Sequence, residues 1–245
     1  MDKEQFEIAK NKIVGLHRER TGIGTLSEKT VHAVLKNYYE IDEEHQEIPI
    51  NGYVADIYRD GKIIEIQTAN FNKLRDKLAI FLNEYEVTVV YPMPYIKWLS
   101  WLDEETGAVS EKRKSPKKGN PYEAFYQLYK IKNYLKHPNL KLKIVMLNIE
   151  ETRLLNGWSH NKKRGSTRFD RIPVELVREL EIDNISDYVQ LIPIDVPDTF
   201  DSKLYAKAAH ISVEMAQIAL NILTYMGTVK RIGKKGNSIL YNIVE

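Results

Sequence analysis

The most informative segment of this sequence is Gly52-Tyr-Val-Ala-Asp56-Ile-Tyr-Arg-Asp-Gly61-Lys-Ile-Ile-Glu65-Ile-Gln67. Asp60-Gly61 lies between two runs rich in apolar residues, and this pair predicts a two-residue hairpin loop, since a type I′ turn needs positive φ at both positions. Counting outward from that loop along both arms places Asp56 opposite Glu65. Like charges directly across a ladder destabilise a sheet, so a cation between them would explain the pairing. We therefore interpret the hairpin as a candidate divalent-metal site.

The two faces of this hairpin differ in polarity, because successive side chains of a strand point to opposite faces. The face that carries Asp56, Glu65 and Gln67 is expected to line a pocket or a surface rather than the inner core. The opposite face is apolar and suited to a core: Ala55, Ile57, Ile64 and Ile66. Two carboxylates supply hard oxygen ligands of the kind that Mg²⁺ prefers. The alternative is a solvated strand face with two unrelated acids.

The composition is ordinary for a soluble globular protein, with 43% hydrophobic and 29% charged residues in a chain of 245. A formal net charge of +2 is too small to indicate a partner. The absence of cysteine excludes disulfides, thiolate nucleophiles and Cys-ligated zinc. The first residues are charged and no apolar run approaches the ~20 residues of a membrane span. The expectation is a cytoplasmic protein with no membrane partner.

Positive charge is concentrated in three clusters, at residues 112–120, 161–171 and 230–236. Each cluster lies beside Gly, Ser or Pro and is therefore expected to form a loop. Such loops are either solvated surface or, together with a metal site, a phosphate-binding surface. The residues expected to contact phosphate are Lys117, Lys118, Lys162, Lys163, Arg164, Lys234 and Lys235. Trp98 and Trp101, beside Lys97, predict either stacking on bases or packing between a hairpin and a helix.

Hydrophobic periodicity predicts the order of secondary-structure elements. Helices are expected over residues 3–18, 26–39, 71–83 and 121–136, and strands over 47–50, the two hairpin arms, 87–91 and 143–147. From the second helix onward, the order is helix, three strands, helix, strand. A second hairpin is expected from residues 95–101 and 108–112. Pro193 and Pro197 predict a linker between a domain of residues 1–192 and a domain of residues 198–245.

The last segment predicts a small domain of its own. Helices at residues 202–209 and 213–226 flank a turn in which Ser212 can cap the second helix, and strands at 228–232 and 238–243 follow. Two helices and a hairpin with a basic tip are the layout of a winged helix-turn-helix, whose second helix enters the major groove. Gln217, Asn221 and Thr224 would then face bases. Glu214 near the helix start repels phosphate, so a protein-binding winged helix is an open alternative.

The hairpin motif and the element order together resemble the PD-(D/E)xK nuclease superfamily, which has the restriction-endonuclease-like fold. Asp56 matches the strand Asp of that family, and Glu65-Ile-Gln67 matches its Glu-x-Lys. The resemblance covers residues 25–92 by motif and 93–150 only by general layout. It implies an α/β fold with a restriction-endonuclease-like core and a mixed sheet, to which the small C-terminal winged-helix domain is appended.

The same resemblance implies a metal site. Asp56 and Glu65 would hold Mg²⁺ or Mn²⁺ with the Ile66 carbonyl, and a further acid would come from the first core helix. Glu28 is the residue that matches, and Glu40 is the less favoured substitute. Glu28 has a second interpretation, because Thr25-Leu-Ser-Glu28 also fits a capping box in which Glu bonds back to the N-cap amide.

Two positions depart from the family pattern. Ala55 stands where the family has Pro, and Gln67 stands where it has Lys. Glutamine is neutral and is no general base, so Gln67 can only orient a water or a phosphate oxygen. A cation of the following helix could replace the missing lysine. Lys73, Arg75 and Lys77 open that helix, and Lys73 is expected to be nearest, with an exposed surface lysine as the alternative.

The resemblance thus implies a metal-dependent nuclease that hydrolyses phosphodiester bonds, with Asp56, Glu65, Gln67 and Glu28 as its catalytic residues. Nucleic acid is the expected partner, DNA is favoured over RNA, and a homodimer is possible. The alternative is a non-catalytic nucleic-acid-binding or regulatory protein that kept the fold and lost the lysine. A third option is a winged-helix interaction protein without a nucleic-acid partner. Scattered histidines and the lack of phosphate-loop motifs argue against zinc and against nucleotide-driven work.

Overall fold

A computed structural model describes residues 1–20, 30–157 and 166–244. The α-helices within these residues are α1 (Lys3–Arg20), α2 (Thr30–Tyr39), α3 (Arg75–Phe81), α4 (Phe125–Leu128), α5 (Ser202–Ala209) and α6 (Val213–Met226). The strands are β1 (Gln46–Ile50), β2 (Tyr53–Arg59), β3 (Lys62–Ile66), β4 (Glu86–Leu102), β5 (Arg113–Lys114), β6 (Leu140–Leu154), β7 (Thr167–Ile182), β8 (Thr199–Phe200), β9 (Val229–Lys235) and β10 (Ser238–Ile243). Turns of 3₁₀-helix lie at Glu43–His45, Phe71–Leu74, Pro121–Ala124, Tyr129–Tyr134 and Ile185–Leu191.

Most strands belong to one large mixed sheet, in the order β1-β2-β3-β4-β6-β7 with β5 paired to β4. Strands β2 and β3 are antiparallel, whereas β3 and β4 are parallel. A small antiparallel sheet has the order β8-β10-β9. The fold is therefore mixed α/β, as expected. The predicted order of helix, three strands, helix and strand is observed as α2, β1, β2, β3, α3 and β4.

The protein forms two compact units, each assembled from segments that are separated along the chain. The first comprises Met1–Gln46, Pro92–Gly119 and Val145–Glu179, and the second comprises Glu47–Tyr91, Asn120–Ile144 and Leu180–Glu245. The long strands β4, β6 and β7 contribute residues to both units. The boundary between residues 1–192 and 198–245 stays a prediction.

In the second unit, α3 packs against the hairpin formed by β2 and β3. The buried apolar residues of this region recur three or four positions apart, which is the spacing of one helix face: Phe71, Leu74, Leu78 and Phe81. The ring of Phe81 meets Tyr53 of β2 edge to face at 6.2 Å between centroids. Burying each such side chain contributes about 1.5–3 kcal/mol. This packing holds the polar side of α3 in a fixed place beside the hairpin.

Strand β7 was not predicted from the sequence, because residues 161–171 were expected to form a basic loop. That prediction was wrong from Thr167 onward, where β7 begins. The buried residues of β7 are Pro173, Leu176, Leu180 and Ile182, which are three, four and two positions apart, so most of the strand does not show regular alternation. Two other loop expectations were also wrong in part. Arg113–Lys114 form β5, and the strand predicted at residues 228–232 is observed as β9, which continues to Lys235 into the expected loop. Basic side chains on exposed strands carry the same sequence signal as basic loops.

The helix expected at residues 121–136 is a broken one. It consists of 3₁₀ turns around the short helix α4, with a non-helical backbone at Ile131 (φ −114°, ψ 19°). The C-terminal segment follows its expectation more closely. The Ser212 side chain accepts a hydrogen bond from the Met215 amide at 3.1 Å and caps α6 as predicted.

Candidate functional site

The hairpin has the predicted register. Asp60 and Gly61 have positive φ angles of 50° and 76°, as a type I′ loop requires. The paired residues are Arg59 with Lys62, Tyr58 with Ile63 and Ile57 with Ile64. The loop residues alone therefore determine which residues of the two arms face each other.

Next to the Ile57–Ile64 pair, the side chains of Asp56 and Glu65 connect the two strands through hydrogen bonds. The Asp56 amide donates to Oε1 of Glu65 at 3.3 Å, and the Ile66 amide donates to Oδ2 of Asp56 at 2.7 Å. The predicted pair of acids is thus brought together, and each acid accepts a backbone hydrogen bond from the opposite strand.

Glu65 is more deeply buried than expected. Its exposure is 2%, whereas Asp56 is half-buried. The expectation that this face avoids the core was wrong at Glu65, because α3 covers it. Burial raises the pKa of Glu65, the Asp56 charge raises it further, and Lys77 opposes both, which leaves the pKa at about 7.

The cation that contacts the acid pair is Lys77. Its Nζ lies 2.7 Å from Oε2 of Glu65 and 2.6 Å from the Val54 carbonyl oxygen, so it bridges β2 and β3. Lys73, which was expected to be nearest, is exposed on the preceding 3₁₀ turn. The two lysines are four residues apart, and a pattern of helical spacing cannot distinguish them.

The remaining catalytic candidates are Gln67, Glu28 and Glu40, and the structure describes the first and the last of them. The side-chain amide of Gln67 donates to the Ala69 carbonyl, and its backbone amide donates to Val90 at 2.9 Å. Glu28 lies outside the described residues. Glu40 is buried at the end of α2, where its Oε1 accepts a hydrogen bond from the Asp42 amide at 2.9 Å.

Two carboxylates are a sufficient protein contribution for Mg²⁺, which keeps several waters and is held by one or two carboxylates plus substrate phosphates. In residues 1–20, 30–157 and 166–244, no group of three or more His, Asp or Glu side chains is placed to hold a metal. Among these described residues Asp56 and Glu65 do not form a closed metal cage, so an ion held there would need water, a backbone carbonyl or substrate as further ligands.

The candidate phosphate-binding lysines of the basic clusters are exposed where they are described. Lys117 and Lys118 lie on the surface after β5, and Nζ of Lys118 is 4.6 Å from the centre of the Tyr95 ring. Lys234 and Lys235 are exposed at the end of β9. Lys162, Lys163 and Arg164 lie outside the described residues.

The polar residues of α6 lie in three different environments. Gln217 is exposed. Asn221 is half-buried, and its Oδ1 accepts a hydrogen bond from Nζ of Lys132 at 2.7 Å. The hydroxyl oxygen of Thr224 is buried without a hydrogen-bond partner among the described residues. A base approaching this helix would meet Gln217 directly but would have to displace Lys132 from Asn221.

A second group of charged residues, which sequence reasoning did not assemble, surrounds Glu151 in the first unit. Glu151 is fully buried and contacts four cationic side chains: Lys97, Arg153, Arg168 and Arg171. The one sequence signal was the basic cluster at 161–171, which contains the last two of these residues. The other members come from β4 and β6, and nothing local connects them to β7.

Comparison with known proteins identifies the family of this chain and adds no activity. Among the described residues, none of the helices is both long and apolar enough to cross a membrane. The chain is similar to a protein of Treponema pallidum (strain Nichols), described as uncharacterized, with 27% identity over 223 residues that cover 89% of this chain and 86% of the relative. No solved structure matches. The model of a family described as Domain of unknown function (DUF8091) matches residues 29–183. Since that match spans more than half of the sequence, the chain belongs to the DUF8091 family.

Proposed function

We propose that this protein is a metal-dependent nuclease that hydrolyses phosphodiester bonds of nucleic acid, with DNA as the expected substrate. The observation that supports the proposal best is the meeting of Asp56 and Glu65 across the hairpin, with Nζ of Lys77 at 2.7 Å from Glu65. Two acids and one cation on adjacent strands and a covering helix are the residue types that phosphodiester hydrolysis needs. The finer fold assignment, a restriction-endonuclease-like core with a C-terminal winged helix, is part of the proposal.

Asp56 and Glu65 would hold Mg²⁺ or Mn²⁺, with the Ile66 carbonyl as a further ligand and Glu28 as the proposed third acid. When bound, the ion would lower the pKa of a bound water and offset negative charge on the leaving oxygen. Asp56 is half-buried and accepts a hydrogen bond from the Ile66 amide, while the buried Glu65 keeps its position through the Asp56 amide and Lys77.

Lys77 would supply the positive charge that the neutral Gln67 cannot supply. Its ammonium carries the positive charge that the family's lysine supplies, and a preorganised cation stabilises charge that develops on a phosphate. Gln67 keeps the narrower role of orienting a water or a phosphate oxygen. Its amide now contacts the Ala69 carbonyl, so that role requires a change of the side-chain rotamer.

The C-terminal segment supports a nucleic-acid contact through its exposed charges. The capped helix α6 and the β9–β10 hairpin have the element order of a winged helix, with Lys234 and Lys235 near the tip. Lysines at a hairpin tip contact phosphate and leave base recognition to the helix, where Gln217 is the exposed polar residue. Lys73, Lys117 and Lys118 would add sequence-independent phosphate contacts.

A second candidate is a nucleic-acid-binding protein without turnover. The observation that favours it is the contact of Lys77 with both Glu65 and the Val54 carbonyl, because this cation already neutralises the carboxylate that a metal would need. This candidate predicts salt-sensitive binding of nucleic acid and no cleavage with any divalent metal.

The test is cleavage of plasmid and oligonucleotide DNA by the purified protein in Mg²⁺ or Mn²⁺, compared with Asp56→Ala and Glu65→Gln. Each substitution should lower the cleavage rate by about 100-fold or more, which is the usual scale for losing one group that stabilises transition-state charge. Asp60→Asn in the exposed hairpin loop is the matched control and should cut like the wild type. Wild-type rates in both site variants would contradict the assignment of the site.

Lys77→Met separates the two candidates further, with Lys62→Met as its control, since Lys62 is an exposed lysine of the same hairpin that pairs with Glu86 at 3.5 Å. In a nuclease, loss of the Lys77 ammonium should slow cleavage by at least about tenfold, whereas Lys62→Met should have a small effect. If the wild type binds DNA but neither it nor any variant cuts it with any divalent metal, the non-catalytic candidate is favoured.

A further inference from the structure

Glu151 of the first unit is a fully buried carboxylate enclosed by cations, and this Glu151 cluster comprises Glu151, Lys97, Arg153, Arg168 and Arg171. Oε1 of Glu151 accepts hydrogen bonds from Nε and Nη2 of Arg153 at 2.9 and 2.6 Å. Its Oε2 accepts one from Nε of Arg171 at 2.8 Å. Arg168 and Lys97 complete the cluster at 3.6 and 3.8 Å from the same oxygen.

The charges of these five side chains do not balance. Lys97, Arg153 and Arg171 place three cations against one carboxylate, so positive charge exceeds negative charge around Glu151 even without Arg168. Burial raises the pKa of Glu151, but Arg171 and the neighbouring cations outweigh that effect and hold the pKa at about 2, so the carboxylate stays ionised. Burial lowers the pKa of Lys97, Glu151 raises it and the three arginines lower it again, with a net lowering. One buried acid needs one or two partners, and the additional cations repel one another in a partly desolvated place.

The neighbouring sequence does not supply the missing negative charge. Residues 152–169 contain no Asp or Glu, and they include Arg153, Lys162, Lys163, Arg164 and Arg168. The two acids that flank the cluster in the sequence have partners of their own: Glu150 pairs with Lys112 at 2.6 Å, and Asp170 accepts a hydrogen bond from the Thr30 hydroxyl at 2.7 Å.

The cluster retains hydrogen-bond donors that reach solvent. Side-chain exposure is 21% for Lys97 and 23% for Arg171. Nε of Arg171 donates to Glu151. The two terminal nitrogens of its guanidinium group do not take part in that hydrogen bond and can donate to a ligand. Lys97 contacts Glu151 only at ion-pair distance, and an ammonium has three donors. An arginine fork beside a lysine suits the several oxygens of a phosphate group.

We propose that the Glu151 cluster is a binding site for a phosphate group. Glu151 holds the arginine side chains in place through its hydrogen bonds, and the surplus charge attracts the anion. The phosphate belongs either to a nucleic-acid backbone or to a small phosphorylated molecule, and the recognition chemistry is the same for both. This site does not depend on catalysis at Asp56 and Glu65.

The test measures binding of inorganic phosphate by calorimetry, and binding of a fluorescent DNA oligonucleotide by anisotropy, at low ionic strength and with EDTA to prevent cleavage. Lys97→Gln is the main variant, because Lys97 lacks a short hydrogen bond to Glu151. It should weaken binding at the site by about tenfold, the usual effect of losing one charged hydrogen bond. Lys112→Gln is the matched control, since Lys112 is an exposed lysine of the same unit that is already paired with Glu150 at 2.6 Å.

The outcomes separate the two sources. Loss of oligonucleotide affinity in Lys97→Gln but not in Lys112→Gln assigns the site to backbone phosphate, and loss of inorganic phosphate affinity alone assigns it to a small phosphorylated ligand. If Lys97→Gln fails to fold, Lys97→Met takes its place, because methionine keeps an unbranched side chain, removes the charge and should weaken binding by a similar factor. Equal affinities in the folded Lys97 variant, Lys112→Gln and the wild type would overturn the proposal.

Discussion

Glu65 is the residue whose chemistry most depends on its surroundings. A carboxyl group in water ionises near pH 4.5, but this one is buried beside Asp56 and has a pKa of about 7. Lys77 limits the shift because its ammonium lies 2.7 Å from Oε2. Near neutral pH, a large share of Glu65 is therefore protonated in the metal-free protein, and metal binding has to displace that proton.

This pKa predicts how stability changes with pH. The folded state holds the proton of Glu65 up to about pH 7, whereas the unfolded state releases it near pH 4.5. The contribution of Glu65 to stability is therefore fully present below that lower pH and is lost as pH rises through the folded pKa. The free energy of unfolding should fall by up to about 3 kcal/mol over this range. Urea unfolding at several pH values measures it.

Glu65→Gln is the control for this pH dependence, because glutamine has the same size and does not titrate. The variant should lack the loss of stability between pH 4.5 and about 7 that the wild type shows. Mn²⁺ should bind the wild type more tightly as pH rises through the same range, since the ligand must be ionised. Identical pH profiles for the two proteins would contradict the raised pKa.

At the scale of elements, the segment after β5 is held against β4 by a close backbone contact. The Gly119 amide donates to the Tyr95 carbonyl at 2.7 Å. A Cβ added at Gly119 would lie 1.7 Å from the Pro94 carbonyl oxygen, and the neighbouring Tyr95 Cα is 3.3 Å away. The backbone atoms of Pro94 and Tyr95 cannot move aside as a flexible side chain would, so this position requires glycine.

Gly119→Ala should therefore destabilise the protein, by about 2 kcal/mol or more, because it forces β4 and the following segment apart. Gly15→Ala in α1 is the matched control, since a Cβ there meets nothing within 4 Å. Alanine in a helix is favoured over glycine by about 0.5–1 kcal/mol, so this control should be stabilising. Chemical unfolding of both variants measures the difference, and equal effects would contradict the close contact.

At the scale of the whole molecule, the C-terminal helices share a compact unit with much earlier parts of the chain. Helix α6 packs against α4, and Lys132 donates to Asn221. The buried hydroxyl of Tyr205 in α5 donates to the Leu191 carbonyl at 2.6 Å, and the Asn120 amide contacts the Ala209 carbonyl. Within this unit the C-terminal segment covers apolar residues of α4, among them Phe125 and Leu128.

These contacts predict that a fragment of residues 1–197 is unstable. Removal of residues 198–245 would expose the buried side chains of α4 to water, at about 25 cal/mol for each Å² of apolar surface. We expect the fragment to lose cooperative thermal unfolding and to bind a hydrophobic dye, in contrast to the full chain. A fragment that unfolds as cooperatively as the full chain would instead support independent domains of residues 1–192 and 198–245.

Features that depend on neighbouring residues follow from local sequence alone. Asp60-Gly61 specifies the hairpin loop, and the loop specifies that Asp56 and Glu65 meet, because alternation along a strand leaves no freedom in the register. Ser212 capping α6 and the order of helices and strands around the hairpin are local in the same sense. These features follow from backbone conformation and hydrophobic period within a few residues.

Contacts between side chains that are distant in the sequence depend on tertiary packing. Lys73 and Lys77 are one helical turn apart, so the sequence pattern places them on the same side of a helix. The packing of α3 on the hairpin brings Lys77, and not Lys73, to Glu65. Strand β7 has charged residues at irregular intervals, and its pairing in the sheet, rather than its own pattern, makes it a strand. The Glu151 cluster joins β4, β6 and β7 for the same reason. Burial and sheet pairing connect residues that are far apart in the chain, and local sequence patterns carry no record of such contacts.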